Sequence, residues 1–221
     1  MSAIPDMAGI LAAGAARQRA SFYAWRNSLG IGGRLALALA AAAVIGVSAQ
    51  ISLPLPFTPV PLTLQTFSVA SIAVCLGWGW GVLAPILYVG LAGLGLPWLA
   101  GLKGGGSAVA GSNGGYLLGF VLMSLALSVF AREPSRCRWF PTWLVLYISD
   151  AVLILLPGAL WLYAWMRASG TTATWEDAFA KGFFPFVIVD FFKSGAAALV
   201  VAWLGRGRAV PADARRRDKG V

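Results

Sequence analysis

The chain has no histidine among its 221 residues, which removes the commonest general base and the commonest metal ligand together. Most hydrolase and metalloenzyme readings go with it. Only two cysteines occur, Cys75 in an apolar run and Cys137 in a loop, without the spacing of a disulfide framework or a metal site. Charge is also scarce, since Asp, Glu, Lys and Arg make up only 11% of the residues. No G-x-x-x-x-G-K-[ST] stretch is present, so any dependence on ATP has to come from a partner.

Apolar residues fill the space instead. The chain is 59% hydrophobic, with ten tryptophans, and the composition of an integral membrane protein follows directly. Its length suits one domain of about six spans at roughly 20 residues each. Continuous apolar runs at 35–53, 62–76, 82–96, 116–131, 143–166 and 183–204 predict six helices, three of them short for a full crossing. Residues 1–33 read as a cytoplasmic arm, with an interfacial helix around 8–25. Residues 34–205 read as the transmembrane domain and 206–221 as a basic tail. No internal repeat is apparent, which argues against an inverted-repeat transporter.

The net charge of +9 is explained by membrane topology and not by nucleic acid, because the arginines gather at span ends and in the tail. Arg17, Arg19, Arg26 and Arg34 precede the first run, Arg132, Arg136 and Arg138 follow the fourth, and 206–219 follow the sixth. The alternate loops hold only Lys103, Arg167 and Lys181. The positive-inside bias therefore predicts cytoplasmic N- and C-termini. It turns outward the proline-rich stretch LPLPFTPVPLTLQTF at 53–67 and the glycine-rich stretch at 95–115. GWGWG at 77–81 reads as a tight cytoplasmic turn with its tryptophans at the interface.

Four features carry candidate chemistry. In FFPFVIVDFFKSGAAALVVAW, Asp190 and Lys193 lie three residues apart on one helix face, and each costs about 2.5–3.5 kcal/mol at the centre of a span. Either they neutralise each other, or they grip a ligand that offers both N–H and C=O groups. The stretch GLKGGGSAVAGSNGGYLLGF carries Lys103 and Asn113. It serves either as a backbone cradle for a ligand or as a hinge with Lys103 at headgroup level. Asp150, ahead of LPGALW with Pro157, predicts a kinked helix with one buried acid. Having no basic neighbour in sequence, it reads as a structural or partner-facing group near the inner leaflet. In the first run Ala36 and Ala40, or Ala38, Ala42 and Gly46, form small-x-x-x-small stripes, suited either to packing within the chain or to docking another membrane subunit.

The segments PLPFTPVPLTLQTFSV, GLPWLAGLKGGG, GSNGGYLLGF, LPGALWLY and PFVIVDFFKSGAAAL occur in this order over about 34–204. In this the chain closely resembles the BioY family, the biotin-binding substrate components of energy-coupling-factor transporters. The resemblance implies an all-α, six-helix, multi-pass bundle in the bacterial cytoplasmic membrane, surrounded by lipid. Such a protein would capture biotin outside and work with a transmembrane coupling subunit and ATPase subunits, with no enzymatic activity and no cofactor of its own. It implies that the proline-rich loop lids the site, with Phe57 and Val60 facing the ligand's apolar part and Thr58 and Gln65 supplying polar contacts. Asp190 and Lys193 then contact the ureido group, Lys103 meets the carboxylate, and Tyr88, Trp98 and Tyr116 line the apolar middle. The alanines Ala36, Ala38, Ala40 and Ala42 are similar to the face such components offer to the coupling subunit.

Two departures stand out. GSNGGY replaces the family's usual G-P-T-G-G-Y, so Asn113 takes the place of a hydroxyl or caps the helix, and Lys103 stands where arginine is also found. The N-terminal arm lies outside the resemblance. Rival readings are a component for thiamin or riboflavin, which would differ in the loops, and a lipid-modifying enzyme, which would need clustered acids or a histidine.

Overall fold

In a hydrocarbon environment a backbone must satisfy its own hydrogen bonds, so uninterrupted apolar runs fold as helices and the prolines and glycines between them mark where helices stop. The computed structural model describes residues 18, 21–130 and 138–205; the expectations for most of the N-terminal arm, for Arg132, Arg136 and Cys137, and for the basic tail fall outside them. The chain is mostly helical, with α1 (Ile31–Gln50), α2 (Gln65–Leu76), α3 (Trp80–Gly93), a short α4 (Gly106–Val109), α5 (Gly114–Phe130), a long α6 (Trp139–Ala168), α7 (Trp175–Gly182) and α8 (Phe184–Gly205). A helical stretch over 21–28 precedes α1. Three helical stretches, Ile31–Gln50, Trp139–Ala168 and Trp175–Trp203, are long and apolar enough to cross a membrane, while α2, α3 and α5 are apolar but shorter.

The helix ends on either side of the proline-rich stretch differ from the apolar pattern, and proline is the reason. The first run was expected to continue to Leu53, but α1 stops at Gln50, and Ser52–Leu53 (β1) pairs antiparallel with Leu62–Thr63 (β2), joining Ser52 to Thr63 and Leu53 to Leu62. Pro54, Pro56, Pro59 and Pro61 lie between these strands and cannot donate helical hydrogen bonds. The proline-rich stretch is therefore a closed hairpin.

The core explains the order of the helices. α2 packs on α1, α3, α5 and α8, α6 lies against α5 and α8, and α1 against α3. Ile45, Val69, Val74, Tyr88, Met123, Leu127 and Val201 fill the interior. Outside, Val47, Leu118, Ile188, Phe192 and Leu199 are exposed. A bundle that presents such residues outward is a membrane protein, since lipid and not water covers them. At the end of α2 away from the hairpin, Arg26 Nη1 donates to the Cys75 carbonyl (2.7 Å) and so caps the helix C-terminus.

α6 changes pitch at Ala151–Leu155, a π-helical turn. Pro157 lacks an N–H and its ring crowds the carbonyl four residues back, Leu153, so the helix widens just ahead of it in place of a simple kink. The widened turn leaves Asp150, Ile154 and Leu155 all facing inward. α5 can approach this segment because Gly119 has no side chain: a Cβ there would lie 2.5 Å from the Leu153 carbonyl oxygen and 2.6 Å from Ile154 Cα. The glycines within α5 thus act as a helix-contact face, Gly115-x-x-x-Gly119.

Candidate functional site

At the hairpin end of the bundle, the chain surrounds a cavity of about 50 Å³. α8 contributes Phe186, Asp190 and Lys193, α2 Gln65 and Thr66, and α3 Tyr88. α5 and the residue before it contribute Tyr116, Leu117, Phe120 and Asn113, and the π turn contributes Ile154 and Leu155. The hairpin covers it with Val60, Pro61 and Thr63, and the loop after α3 adds Leu99 and Ala100. The wall is largely apolar and aromatic, with the charged pair on one side.

The pair itself is built by helix geometry. Asp190 and Lys193 are one turn apart on α8, and Lys193 Nζ forms an ion pair with Asp190 Oδ1. Asp190 is buried, and the Lys193 side chain is 14% exposed. Lys193 also donates to the Thr63 carbonyl (3.1 Å), which ties α8 to the second strand of the hairpin. An ammonium has three donors, so two protein bonds leave one for another acceptor. Trp143 Nε1 donates to the Phe191 carbonyl (3.1 Å), holding α6 to the same turn of α8.

A polar relay runs beneath the hairpin. The Thr63 hydroxyl donates to Gln65 Oε1 (2.9 Å), Gln65 Nε2 donates to the Tyr88 hydroxyl (2.8 Å), and that hydroxyl donates to the Trp98 carbonyl (3.3 Å). Each member is thereby oriented by the next. Tyr116 is fixed differently: its hydroxyl donates to the Gly182 carbonyl (2.6 Å), and its ring lies against Gly158 of α6. Both phenols give their protons to backbone carbonyls. Gln50, at the end of α1, donates from Nε2 to the carbonyls of Trp98 and Leu99 (3.1 Å each), and its Oε1 accepts from Leu102 N–H (3.1 Å). That side chain holds the loop after α3 in place.

Of the residues singled out in the sequence, Asp190, Lys193, Gln65, Tyr88, Asn113 and Tyr116 line the cavity, and Phe57, Thr58, Lys103 and Trp98 do not. Phe57 sits at the hairpin tip, 54% exposed. Thr58 turns into its own loop, where its hydroxyl accepts from Val60 N–H (3.2 Å). Lys103 is exposed on the surface of its loop, and Trp98 packs its ring on Gly46 of α1, offering only its carbonyl to the Tyr88 relay. The alanines separate cleanly: Ala38 and Ala42 are fully buried within the bundle, whereas Ala36 and Ala40 face outward. Ala38 and Ala42 are therefore interior packing residues and not a docking face.

Asp150 is the largest difference from the sequence reading. Although it has no basic neighbour in sequence, it is buried and lines a cavity of about 10 Å³ together with Lys193 and Ser194 of α8. The packing of α6 on α8 brings it to the helix that carries the charged pair. Thr66, Leu99, Phe120, Ile154, Leu155 and Phe186 also line the cavity without having stood out in the sequence; only their places beside marked residues on the same helices or loop hinted at it.

Comparison with known proteins gives a consistent picture. A sequence model of the BioY family matches residues 23–209. A protein named probable biotin transporter BioY, from Methanothermobacter thermautotrophicus, is 38% identical over 125 residues, covering 55% of this chain and 80% of that one. The biotin transporter BioY of Thermotoga maritima is 36% identical over 120 residues, covering 54% of this chain and 66% of that one. Among solved structures, the S-component for biotin from an ECF-type ABC transporter aligns over 79% of this chain and 93% of its own. Its TM-score is 0.68 at 21% identity, which is a likeness of fold.

Proposed function

The chain belongs to the BioY family, and from that premise we propose that it is a substrate-binding component that captures biotin and takes it up across a bacterial cytoplasmic membrane. One observation carries the reading: the Asp190–Lys193 pair closes one side of a cavity that is otherwise apolar and aromatic. Biotin has the matching order of groups, a ureido head, an apolar ring and chain, and a terminal carboxylate. Asp190 accepts from a ureido N–H, and the remaining donor of Lys193 goes to the ureido oxygen. Tyr88, Tyr116, Leu117, Phe120 and Phe186 enclose the thiophane ring and chain, with Gln65 and Asn113 as neutral polar contacts. The carboxylate points to the mouth, where Lys103, on the loop that supplies Leu99 and Ala100, is the cation within its part of the fold.

The topology we infer has six spans, both termini cytoplasmic and the hairpin outward, on the strength of the arginine distribution. Energy comes from ATPase subunits acting through a transmembrane coupling subunit, and the outward stripe of Ala36 and Ala40 is the docking face in this scheme. The protein itself performs no chemical conversion.

Equilibrium dialysis of the detergent-purified protein with labelled biotin tests the reading, with thiamin and riboflavin as competitors. Saturable binding displaced by biotin alone is expected. No saturable binding overturns the proposal, and displacement by thiamin or riboflavin reassigns the site to another vitamin.

A further inference from the structure

The end of the bundle opposite the hairpin holds a second, larger cavity of about 340 Å³, which takes no part in the ligand contacts above. Its walls come from helix ends: the first two turns of α1, the last residue of α2, the first of α3, and Ser128 near the close of α5. α1 has 20 residues and so sets this cavity about 30 Å from the hairpin, one hydrocarbon thickness away. The cavity therefore lies at the opposite membrane interface, which the arginine distribution makes the cytoplasmic one. Trp78 and Trp80 line it, and tryptophan is the residue type that settles at headgroup level.

Two guanidiniums meet there, and one residue ties them together. Arg26 donates from Nε (3.3 Å) and Nη2 (2.9 Å) to Asn27 Oδ1 and from Nη1 to the Cys75 carbonyl, and its guanidinium lies 5.0 Å from the centre of the Tyr23 ring. Those contacts hold it in one place. Arg34 donates from Nη2 to the Asn27 carbonyl (3.0 Å). A guanidinium has five N–H groups, so Arg34 keeps further donors on a side chain that lines the cavity, and it forms no ion pair among the described residues. No acidic side chain among the described residues lines the cavity. Like charges gathered on one residue repel, and an anion between them replaces that repulsion with attraction.

Size and surroundings choose the anion. A phosphate group matches the guanidinium fork, but the space exceeds what one inorganic phosphate fills and reaches the ~300 Å³ at the lower end of small-molecule sites. Leu37 and Leu76 make part of the lining apolar, and Leu35 and Leu39, which flank Leu37 on α1, are exposed to lipid. An acidic protein segment would match the charge but would leave the interfacial tryptophans and exposed leucines unused. We propose that this cavity binds the phosphodiester headgroup of an anionic phospholipid from the cytoplasmic leaflet, with Arg34 gripping the phosphate and Arg26 as the fixed second charge. The acyl chains lie along the exposed leucines of α1. The site is separate from the ligand cavity and does not depend on which vitamin that cavity takes.

The test uses the full chain, delipidated in a nonionic detergent, as wild type, Arg34→Lys, Arg34→Gln and Arg167→Gln, the last removing an exposed charge outside the cavity. Native mass spectrometry during titration with phosphatidylglycerol or phosphatidylcholine is expected to show one phosphatidylglycerol retained in preference by the wild type. Arg34→Gln is expected to need about ten- to a hundredfold more phosphatidylglycerol, the scale of lost hydrogen bonds to a charged group. Arg34→Lys should fall between the two, since lysine keeps the charge without the fork, and Arg167→Gln should match the wild type. No preference for phosphatidylglycerol in the wild type overturns the proposal, as does equal weakening in Arg34→Gln and Arg167→Gln, which would mean attraction to charge in general. Displacement of the lipid by an equal concentration of inorganic phosphate overturns it in favour of a free anion site. If Arg34→Gln does not fold, Arg34→Lys decides, and wild-type retention in that variant refutes the role of the fork. Loss of assembly with the coupling module in Arg34→Gln, without lipid preference in the wild type, overturns the proposal in favour of a protein docking site.

Discussion

Replacing Lys193 with methionine keeps an unbranched side chain of nearly the same length, ending where the ammonium would attach, and removes the charge and its donors. In the structure that ammonium compensates Asp190, which is 1% exposed, and donates to the Thr63 carbonyl. Removing one partner of a buried pair costs about 3–5 kcal/mol, because the other charge stays behind. Lys193 is 14% exposed, so some solvent reaches it, and the expected loss is about 2–5 kcal/mol, or roughly 30- to 4,000-fold in biotin affinity. Equilibrium dialysis measures the affinity, and thermal unfolding in the same detergent measures the stability. The double variant Asp190→Asn, Lys193→Met separates the two roles. It has no stranded carboxylate, so its unfolding midpoint should recover toward the wild type, while its affinity stays low because both ligand contacts are gone. Affinity of Lys193→Met within about threefold of the wild type, far below the span expected for a buried pair, would refute the assignment of the ammonium to the ligand.

Three further outcomes follow from the packing. Ala36→Leu with Ala40→Leu should leave biotin binding intact and reduce uptake in membrane vesicles that carry the coupling module, whereas Ala38→Leu with Ala42→Leu should lower the unfolding midpoint, since overpacking a core costs about 1–3 kcal/mol per site. Uptake that survives the outward pair places docking elsewhere. Gly119→Leu should disrupt the α5–α6 contact, because the added carbon meets the Leu153 carbonyl at 2.5 Å, which size-exclusion and thermal unfolding will report. Phe57→Ala should leave equilibrium affinity unchanged, since that ring is 54% exposed and outside the cavity. Val60→Ala should weaken binding by about 1 kcal/mol through lost apolar contact, and the reverse ranking in dialysis would mean that the tip folds inward over the ligand.

How much of this was visible in the sequence depends on the range of the interaction concerned. The apolar runs located α1, α2, α3, α5, α6 and α8 because a lipid-facing helix is apolar around most of its circumference. The Asp190–Lys193 pair was visible because three residues is one helical turn. The surroundings of Asp150 were not visible for the opposite reason: Lys193 and Ser194, which share its small cavity, lie on another helix, and its register toward them depends on a π turn that periodicity does not foresee. The two alanine stripes were equivalent as patterns, and only the packing of α2 and α3 on α1 decides which of them is buried. In the loops no period governs where a side chain points, so Trp98 was expected in the cavity where Leu99 and Ala100 stand instead, and of Phe57 and Val60, both expected to face it, only Val60 does.

The hairpin and the charged pair are parts of one device. A cavity of about 50 Å³ is well short of the ~300 Å³ at the lower end of small-molecule sites, so on the proposed reading a vitamin-sized ligand would need the hairpin or its neighbours to move. Two paired residues make a strand contact too small to be stable alone. The hairpin is held down chiefly by what lies beneath it: the Lys193 bond to the Thr63 carbonyl and the Thr63–Gln65–Tyr88 relay. Four prolines limit how far the loop disorders once released, which keeps the entropy of re-closing small. On the proposed reading, the ammonium that would meet the ligand head is also a bond that holds the hairpin down. A ligand that offered Lys193 an acceptor without breaking its bond to Thr63 would then favour the closed site, whereas one that drew the ammonium away from Thr63 would favour the open one.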